Sequence, residues 1–93
     1  MALTIEHDPA AERFHAVVEG WICVVDYRLH DDVMAITHTG VPPQLEGRGI
    51  AGALVQAVLD HARAHELKVL PLCSYADAYM RRHPQTLTLR AQG

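Results

Sequence analysis

The chain has 93 residues, of which 49% are hydrophobic and 20% are charged, a balance typical of a globular domain rather than a disordered segment. This length supports one small domain, which we expect to span residues 1–93. The formal net charge of −3 argues against general binding to nucleic acids or membranes, because both require a basic surface.

The first half of the chain, up to residue 41, has the pattern of short strands joined by tight turns. Segments rich in β-branched and aromatic residues predict four strands, which are Leu3–Glu6, Arg13–Val18, Trp21–Leu29 and Val33–Thr39. Turn-forming residues such as Glu19 and Gly20 separate them. Because short connections join neighbouring strands in opposite directions, we expect an antiparallel meander.

The second half of the chain begins with a helical pattern. From Gly47 to about Glu66, apolar residues recur at spacings of three and four, which predicts an amphipathic helix packed on the sheet. Lys68–Cys73 is predicted to be a buried strand parallel to the fourth, because a helical crossover joins the two. A shorter helix is predicted over Asp77–Arg82, before Pro84. Thr86–Arg90 is expected to be a last strand or a tail.

Glycines are concentrated where the long helix begins, at Gly47, Gly49 and Gly52. Glycine allows a sharp turn and a close approach to a ligand, and a helix N-terminus offers unpaired N–H groups. The segment therefore predicts an anion site for a phosphate-rich ligand. It matches the dinucleotide pattern G-x-G-x-x-G, but the next predicted strand ends in Cys73 and Ser74 rather than a carboxylate. The P-loop pattern is also missing, because no Gly-Lys-Ser/Thr closes the glycine run.

The same loop resembles the acyl-CoA-binding motif Gln/Arg-x-x-Gly-x-Gly/Ala of the GCN5-related N-acetyltransferases, the GNAT superfamily. The motif is Glu46–Ala51, in which Glu46 replaces the usual Gln or Arg. Flanking segments look like the small YjdJ-type single-domain branch, in the same order along the chain: His38–Pro42, Leu45–Ala51, Pro71–Tyr75 and Arg82–Pro84. The resemblance implies a GNAT-like α/β fold, with an antiparallel β-meander followed by a long helix, a parallel strand and a short C-terminal helix.

This resemblance also implies a cosubstrate, acetyl-CoA or free coenzyme A. In the family the pantetheine arm lies between two splayed parallel strands, here Thr39–Val41 and Leu72–Cys73. The pyrophosphate would rest on the amides of the glycine loop. The residues expected to bind the cosubstrate are Val41, Leu45, Glu46, Gly47, Arg48, Gly49, Ile50, Ala51, Gly52 and Tyr75.

Three candidate catalytic residues follow from the chemistry of acetyl transfer, which needs a neutral amine, an oxyanion donor and a proton for the leaving thiolate. The resemblance implies an acidic base at position 40, where this chain has Gly40. His38 is therefore the candidate base, or else a polar strand residue. The resemblance places Cys73 beside the acyl group, where it would protonate the thiolate or be acylated, or else it packs as a small hydrophobe. Tyr79 is the general acid that the resemblance implies, or else a core residue.

The expected function is acetyl-CoA-dependent transfer of acetyl to a primary amine, either a small amine or an exposed lysine. The alternative is a non-catalytic acyl-CoA-binding module. We expect no nucleic-acid or membrane partner and a monomer or weak homodimer. His61 and His65 lack a third ligand, so no metal site is predicted. Cys23 and Cys73 are expected to be reduced in a cytoplasmic protein without a signal peptide.

Overall fold

The computed structural model describes residues 3–91. Five strands form one sheet, and they are β1 (Glu6–Asp8), β2 (Arg13–Val18), β3 (Trp21–His30), β4 (Val33–Gly40) and β5 (Lys68–Pro71). The helices in this part of the chain are α1 (Ile50–Ala64) and α2 (Ser74–Arg82), together with two 3₁₀ segments, Pro43–Leu45 and Pro84–Leu89.

The sheet confirms the predicted α/β fold class. Its strands lie in the order β1-β2-β3-β4-β5, and each of the first three pairs antiparallel with the next. Glu19 and Gly20 both have positive φ, at 53° and 82°, as a tight turn that follows the twist of the two strands requires. The connection from β4 through α1 returns to a parallel pairing with β5, as predicted from the crossover.

The first strand lies later in the chain than its hydrophobic pattern predicted. The prediction was Leu3–Glu6, whereas β1 begins at Glu6 and pairs with Arg13 to His15 of β2. Leu3 and Ile5 instead pack against the core as partly buried side chains. Strand pairing therefore begins only after these two apolar residues.

The long helix is shorter at both ends than the predicted Gly47–Glu66. It begins at Ile50 because Gly47 and Gly49 have φ of 83° and 79°, outside the range of a right-handed helix. It ends at Ala64, and Glu66 follows with φ of 57°, the left-handed conformation that commonly terminates a helix.

The C-terminal elements also differ in their bounds from the predictions. The strand predicted over Lys68–Cys73 ends at Pro71. The second helix begins at Ser74 rather than Asp77, directly after a residue with extended dihedral angles. Thr86–Arg90 is mostly part of the second 3₁₀ segment rather than a strand.

The core lies between α1 and one face of the sheet. Along β3, Cys23, Val25 and Tyr27 are buried on this face, while the alternate residues point to the other side. α1 contributes buried side chains at the helical spacing that the sequence indicated, which are Ile50, Leu54, Val55, Val58, Leu59 and Ala62. Among residues 3–91, neither α1 nor any other helix has the length and apolar character needed to cross a membrane. We call the uncovered side of the sheet the open face.

A β-bulge in β4 changes which residues face the core. Asp26 pairs with His38 and Tyr27 pairs with Ile36, so Thr37 has no counterpart on β3. The extra residue shifts the side-chain alternation by one position. Ile36 before the bulge is buried in the core, whereas His38 after it is on the open face.

An aromatic cluster lies at the other end of the sheet. The His7 ring stacks on Phe14 with a centroid distance of 4.0 Å, and its Nε2 lies 2.5 Å from the Tyr27 hydroxyl. The His61 ring is 4.6 Å from His7 and 4.2 Å from His65. Within residues 3–91, no group of three or more His, Cys, Asp or Glu side chains has the geometry of a metal site.

The histidine cluster makes folding depend on pH. Burial lowers the pKa of His61, and the neighbouring His65 and His7 lower it further. Burial also lowers the pKa of His7; Asp8 opposes this shift, and His65 adds to it. Because the unfolded chain then binds protons at higher pH than the folded chain, stability is present above about pH 6.5 and is lost as the pH falls below it.

We expect the free energy of unfolding to decrease from pH 7.5 to 5.5, and to decrease less in His61→Gln. Urea unfolding of both proteins at the two pH values measures this difference. The matched control is His30→Gln, since His30, the last residue of β3, is exposed and lies outside the histidine cluster. An unchanged pH dependence in His61→Gln would show that the cluster does not set it.

Candidate functional site

A cleft of about 550 Å³ opens between the end of β4 and the start of α1. This volume is within the range of small-molecule sites in proteins. Its walls come from β4, the loop after it, the first turn of α1 and α2, and the residues that line it are Thr39, Val41, Leu45, Glu46, Gly47, Gly49, Ile50, Ala51 and Tyr75.

One wall of the cleft is an unpaired strand edge. The last residue pair between β4 and β5 is Ile36 with Pro71. The N–H groups of Leu72 and Cys73 both donate to the Ile36 carbonyl, each at 3.0 Å, as the chain turns away. Within residues 3–91, β4 has no strand partner on this edge beyond Ile36, although the Thr39 N–H faces the Cys73 sulfur. The other main-chain groups of this edge are available to an extended ligand that carries amides.

The second wall is the N-terminus of α1. Gly49 is the N-cap residue with φ of 79°, and Gly47 has φ of 83°. Other residues rarely adopt this conformation, which explains glycine at both positions. Among the described residues no side chain caps the helix, and its first turn has no acidic residue. The first N–H groups and the positive end of the helix dipole are thus available to an anion.

Eight of the ten residues predicted to bind the cosubstrate line this cleft, and two do not. The Arg48 guanidinium pairs with Glu19 in the turn between β2 and β3. At Gly52 an added Cβ would lie 3.3 Å from the Tyr75 hydroxyl and 3.4 Å from the Tyr79 ring. Gly52 therefore allows close packing of α1 on α2, a role that its type alone did not distinguish from ligand contact. Ligand binding by the other eight stays a prediction.

Cys73 lies beside the cleft, at the N-cap of α2. Its thiol donates to the Thr39 hydroxyl with a sulfur–oxygen distance of 3.6 Å. Burial raises the pKa of Cys73, but the Ala76 N–H, the Thr39 hydroxyl and the Tyr75 N–H favour the thiolate. The resulting pKa is below the ordinary thiol value. The pKa of the predicted catalytic cysteine is therefore lowered, and Cys73 contacts Thr39 without being among the residues that line the cleft.

His38 and Gly40 lie on the opposite side of β4 from Cys73. They pair with Asp26 and Val24 on the open face, whereas Thr39 lines the cleft. A Cβ added at Gly40 would lie only 2.9 Å from the His38 Nε2. Glycine at position 40 thus leaves space for the imidazole, which lies over the strand where the resemblance implied an acidic side chain.

Of the two tyrosines of α2 singled out in the sequence, Tyr75 lines the cleft and Tyr79 does not. The Tyr79 hydroxyl donates to Gln56 Oε1 of α1 at 2.6 Å, and its ring stacks on His83 at 4.0 Å. Burial raises the pKa of Tyr79, and Tyr75 and Asp60 raise it further. Tyr79 was predicted as the general acid, but its hydroxyl bonds to the neighbouring helix.

Thr39 was expected only at the edge of the gap, whereas its side chain lies in the site. It lines the cleft and accepts the hydrogen bond from Cys73. Strict alternation from the buried Ile36 would have placed residue 39 on the open face. The bulge reverses that assignment, and no residue type in β4 predicts a bulge at this position.

A five-stranded mixed sheet that splays beside an uncapped, glycine-rich helix start is the architecture expected of an acyl-CoA-binding acetyltransferase fold. A family model described as GCN5-related N-acetyl-transferase matches residues 13–89, and the chain belongs to this family.

Individual relatives are similar to this chain over most of its length. Protein NATD1 of Mus musculus and of Homo sapiens are each 29% identical over 86 residues, which cover 88% of this chain and 77% and 75% of theirs. A GCN5-like protein of Staphylococcus aureus, whose structure was determined in solution by NMR, superposes with a TM-score of 0.77 at 26% identity. That alignment covers 98% of this chain and 90% of the other.

The environment of Cys73 predicts its reactivity. We expect iodoacetamide to alkylate Cys73 with a pH midpoint below that of an ordinary thiol, and the midpoint to rise in Thr39→Val, which removes the hydroxyl but keeps the β-branch. Mass spectrometry after timed alkylation measures both. Cys23, with 0% exposure, is the internal control and should stay unmodified in the folded protein. Identical midpoints in the two proteins would contradict the assigned role of Thr39.

Proposed function

We propose that the protein is an acetyl-CoA-dependent N-acetyltransferase that acts on a primary amine. The observation that carries this proposal is the cleft in which an unpaired β4 edge meets the uncapped N-terminus of α1. Acetyl-CoA has the two features that these walls complement, a pyrophosphate and a chain with two amides. Membership of the GCN5-related family supports the same assignment.

In the proposed complex the pyrophosphate rests on the main-chain amides between Gly47 and Ala51. The pantetheine arm runs along β4 and pairs with the main chain around Thr39 and Val41. This orientation brings the thioester to the point where β4 and β5 separate. Glu46 also lines the cleft, so its carboxylate lies where the family usually has Gln or Arg.

The proposed reaction is direct attack of the amine on the thioester carbonyl. A C–N bond forms as the C–S bond breaks, the amine loses a proton, and the departing thiolate gains one. His38 is the proposed base on the open face, and the Val41 N–H is the proposed oxyanion donor. Cys73 is the proposed proton donor to the thiolate, because its acidic thiol lies beside the cleft. Because Cys73 bonds to Thr39 and does not line the cleft, we propose that its proton reaches the thiolate through the Thr39 hydroxyl and that Cys73 is not acylated.

Binding is tested by placing a carboxylate in the glycine loop. We expect Gly49→Glu to weaken acetyl-CoA binding at least tenfold in calorimetric titration, because the new charge and side chain lie where the pyrophosphate would rest. Gly20→Glu is the matched control, since Gly20 has φ of 82° and, like Gly49, open space around its Cβ position. The control should retain wild-type affinity.

Two results would oppose the proposed function. Equal affinities of Gly49→Glu and Gly20→Glu would remove the glycine loop from the binding site. Tight acetyl-CoA binding without release of free CoA thiol in the presence of any amine would replace the enzyme with a non-catalytic acyl-CoA-binding module.

Catalysis is tested by the coupled pair His38 and Gly40. We expect His38→Gln to lower kcat by about 100-fold, the scale of general-base catalysis, with unchanged affinity for acetyl-CoA. Gly40→Ala should lower kcat in the same way, because its Cβ displaces the imidazole. The double variant should be no slower than His38→Gln, since both changes act on one group.

The control for this series is His30→Gln at the far end of β3, which should leave kcat unchanged. Independent, multiplicative losses in the His38 and Gly40 variants would contradict the arrangement in which glycine serves to place the imidazole.

A further inference from the structure

We infer that the open face beside Gly40 is the acceptor surface, and that it selects a primary amine carried on an apolar carbon chain. This inference rests on the proposed function and names its acceptor class. The surface is an apolar track, formed by Val24, Ile22 and Val17, that begins at the reaction gap.

The track is continuous across the register of the sheet. Val24 pairs with Gly40, and a Cβ added at Gly40 would lie 3.4 Å from Val24 Cγ2. Ile22 follows two residues along the same face of β3 and pairs with Val17 of β2. Ile22 and Val17 are 62% and 63% exposed, which is unusual for two adjacent branched aliphatic residues on a sheet.

The track begins where an acceptor has access to the acyl group. Thr39 and Val41 line the cleft on the helical side, while Gly40 between them faces the open side. Because Gly40 has no side chain, the His38 Nε2 lies over the strand there next to Val24, and we propose that the amine binds beside this imidazole on the open face. The nitrogen is then placed at the proposed base while its carbon chain extends over Val24.

The charges around the track complement a cationic amine. Glu6 pairs with His15 beside Val24, and Asp26 pairs with His38. Asp26 forms an ion pair with Arg13, in which Arg13 Nε lies 2.6 Å from Asp26 Oδ1. Because Arg13 balances the charge of Asp26, the Glu6 carboxylate is the group that attracts an ammonium and disfavours an acidic acceptor.

The length of the track sets the expected length of the acceptor. From Gly40 to Ile22 the path crosses one strand spacing and advances two residues, a distance of roughly 8 Å. An extended carbon chain of about six bonds spans this distance. Beyond Ile22 the track offers only Val17, which lies beside Ile22 in the sheet, so a longer chain gains less contact per methylene.

The test is a series of unbranched primary amines, from ethylamine through butylamine and hexylamine to octylamine, with CoA thiol release as the measured rate. We expect kcat/KM to rise by up to about fourfold per methylene as far as hexylamine and then to level off. The double variant Val17→Thr with Ile22→Thr should flatten this rise and keep the wild-type affinity for acetyl-CoA. Threonine is used because it is β-branched and retains strand propensity.

The matched control is Leu29→Thr, which removes another exposed apolar side chain of β3, with 49% exposure, from the far end of the strand. It should keep the chain-length dependence of the wild type. The dependence in wild type and control, together with its loss in the double variant, would support the inference.

Other outcomes overturn the inference in distinguishable ways. Transfer to all amines at similar rates, or an equal chain-length dependence in the double variant, would leave an acetyltransferase whose acceptor does not use this track. Sedimentation showing a dimer that the double variant abolishes, without chain-length dependence, would assign the track to a second copy of the chain. No transfer to any amine would remove the proposed function and the inference with it.

Discussion

The arrangement of the site depends on one extra residue in β4. Thr37 has no partner on β3, and the alternation of side chains changes there. Pairing with β5 ends one residue earlier, at Ile36. As a result, Thr39 faces the helices beside a free strand edge, while His38 faces the open side. In a regular strand the alternation from Ile36 would instead place His38 on the core face and Thr39 on the open face.

The second element of the site, the glycine loop, is placed by the core rather than by the loop itself. Leu45 is buried just before the loop, and Ile50 is buried at the first position of α1. These two anchors hold an exposed segment in which Gly47 and Gly49 have positive φ. The cleft therefore lies between two fixed structures, and a helix N-terminus can bind an anion without a basic side chain.

The sequence predicted the elements better than the site. Strand runs, the Glu19–Gly20 turn and the stripe of α1 are local patterns, so the topology followed from them. The bulge at Thr37 is a register property that depends on β3. The second helix was predicted to begin at Asp77 rather than Ser74. The predicted helix therefore left out Tyr75, which lines the cleft. The presence of a glycine likewise does not tell whether it serves helix packing, as at Gly52, or ligand contact.

The amide spectrum of ¹⁵N-labelled protein during titration with acetyl-CoA tests directly whether this cleft binds acetyl-CoA. We expect the largest shifts at Val41, Gly47, Gly49 and Ile50, on the two walls of the cleft. Amides of the distant histidine cluster, such as His7, should not move. Saturable binding that leaves the cleft amides unshifted, or the absence of any shift, would contradict the assignment of this cleft to acetyl-CoA.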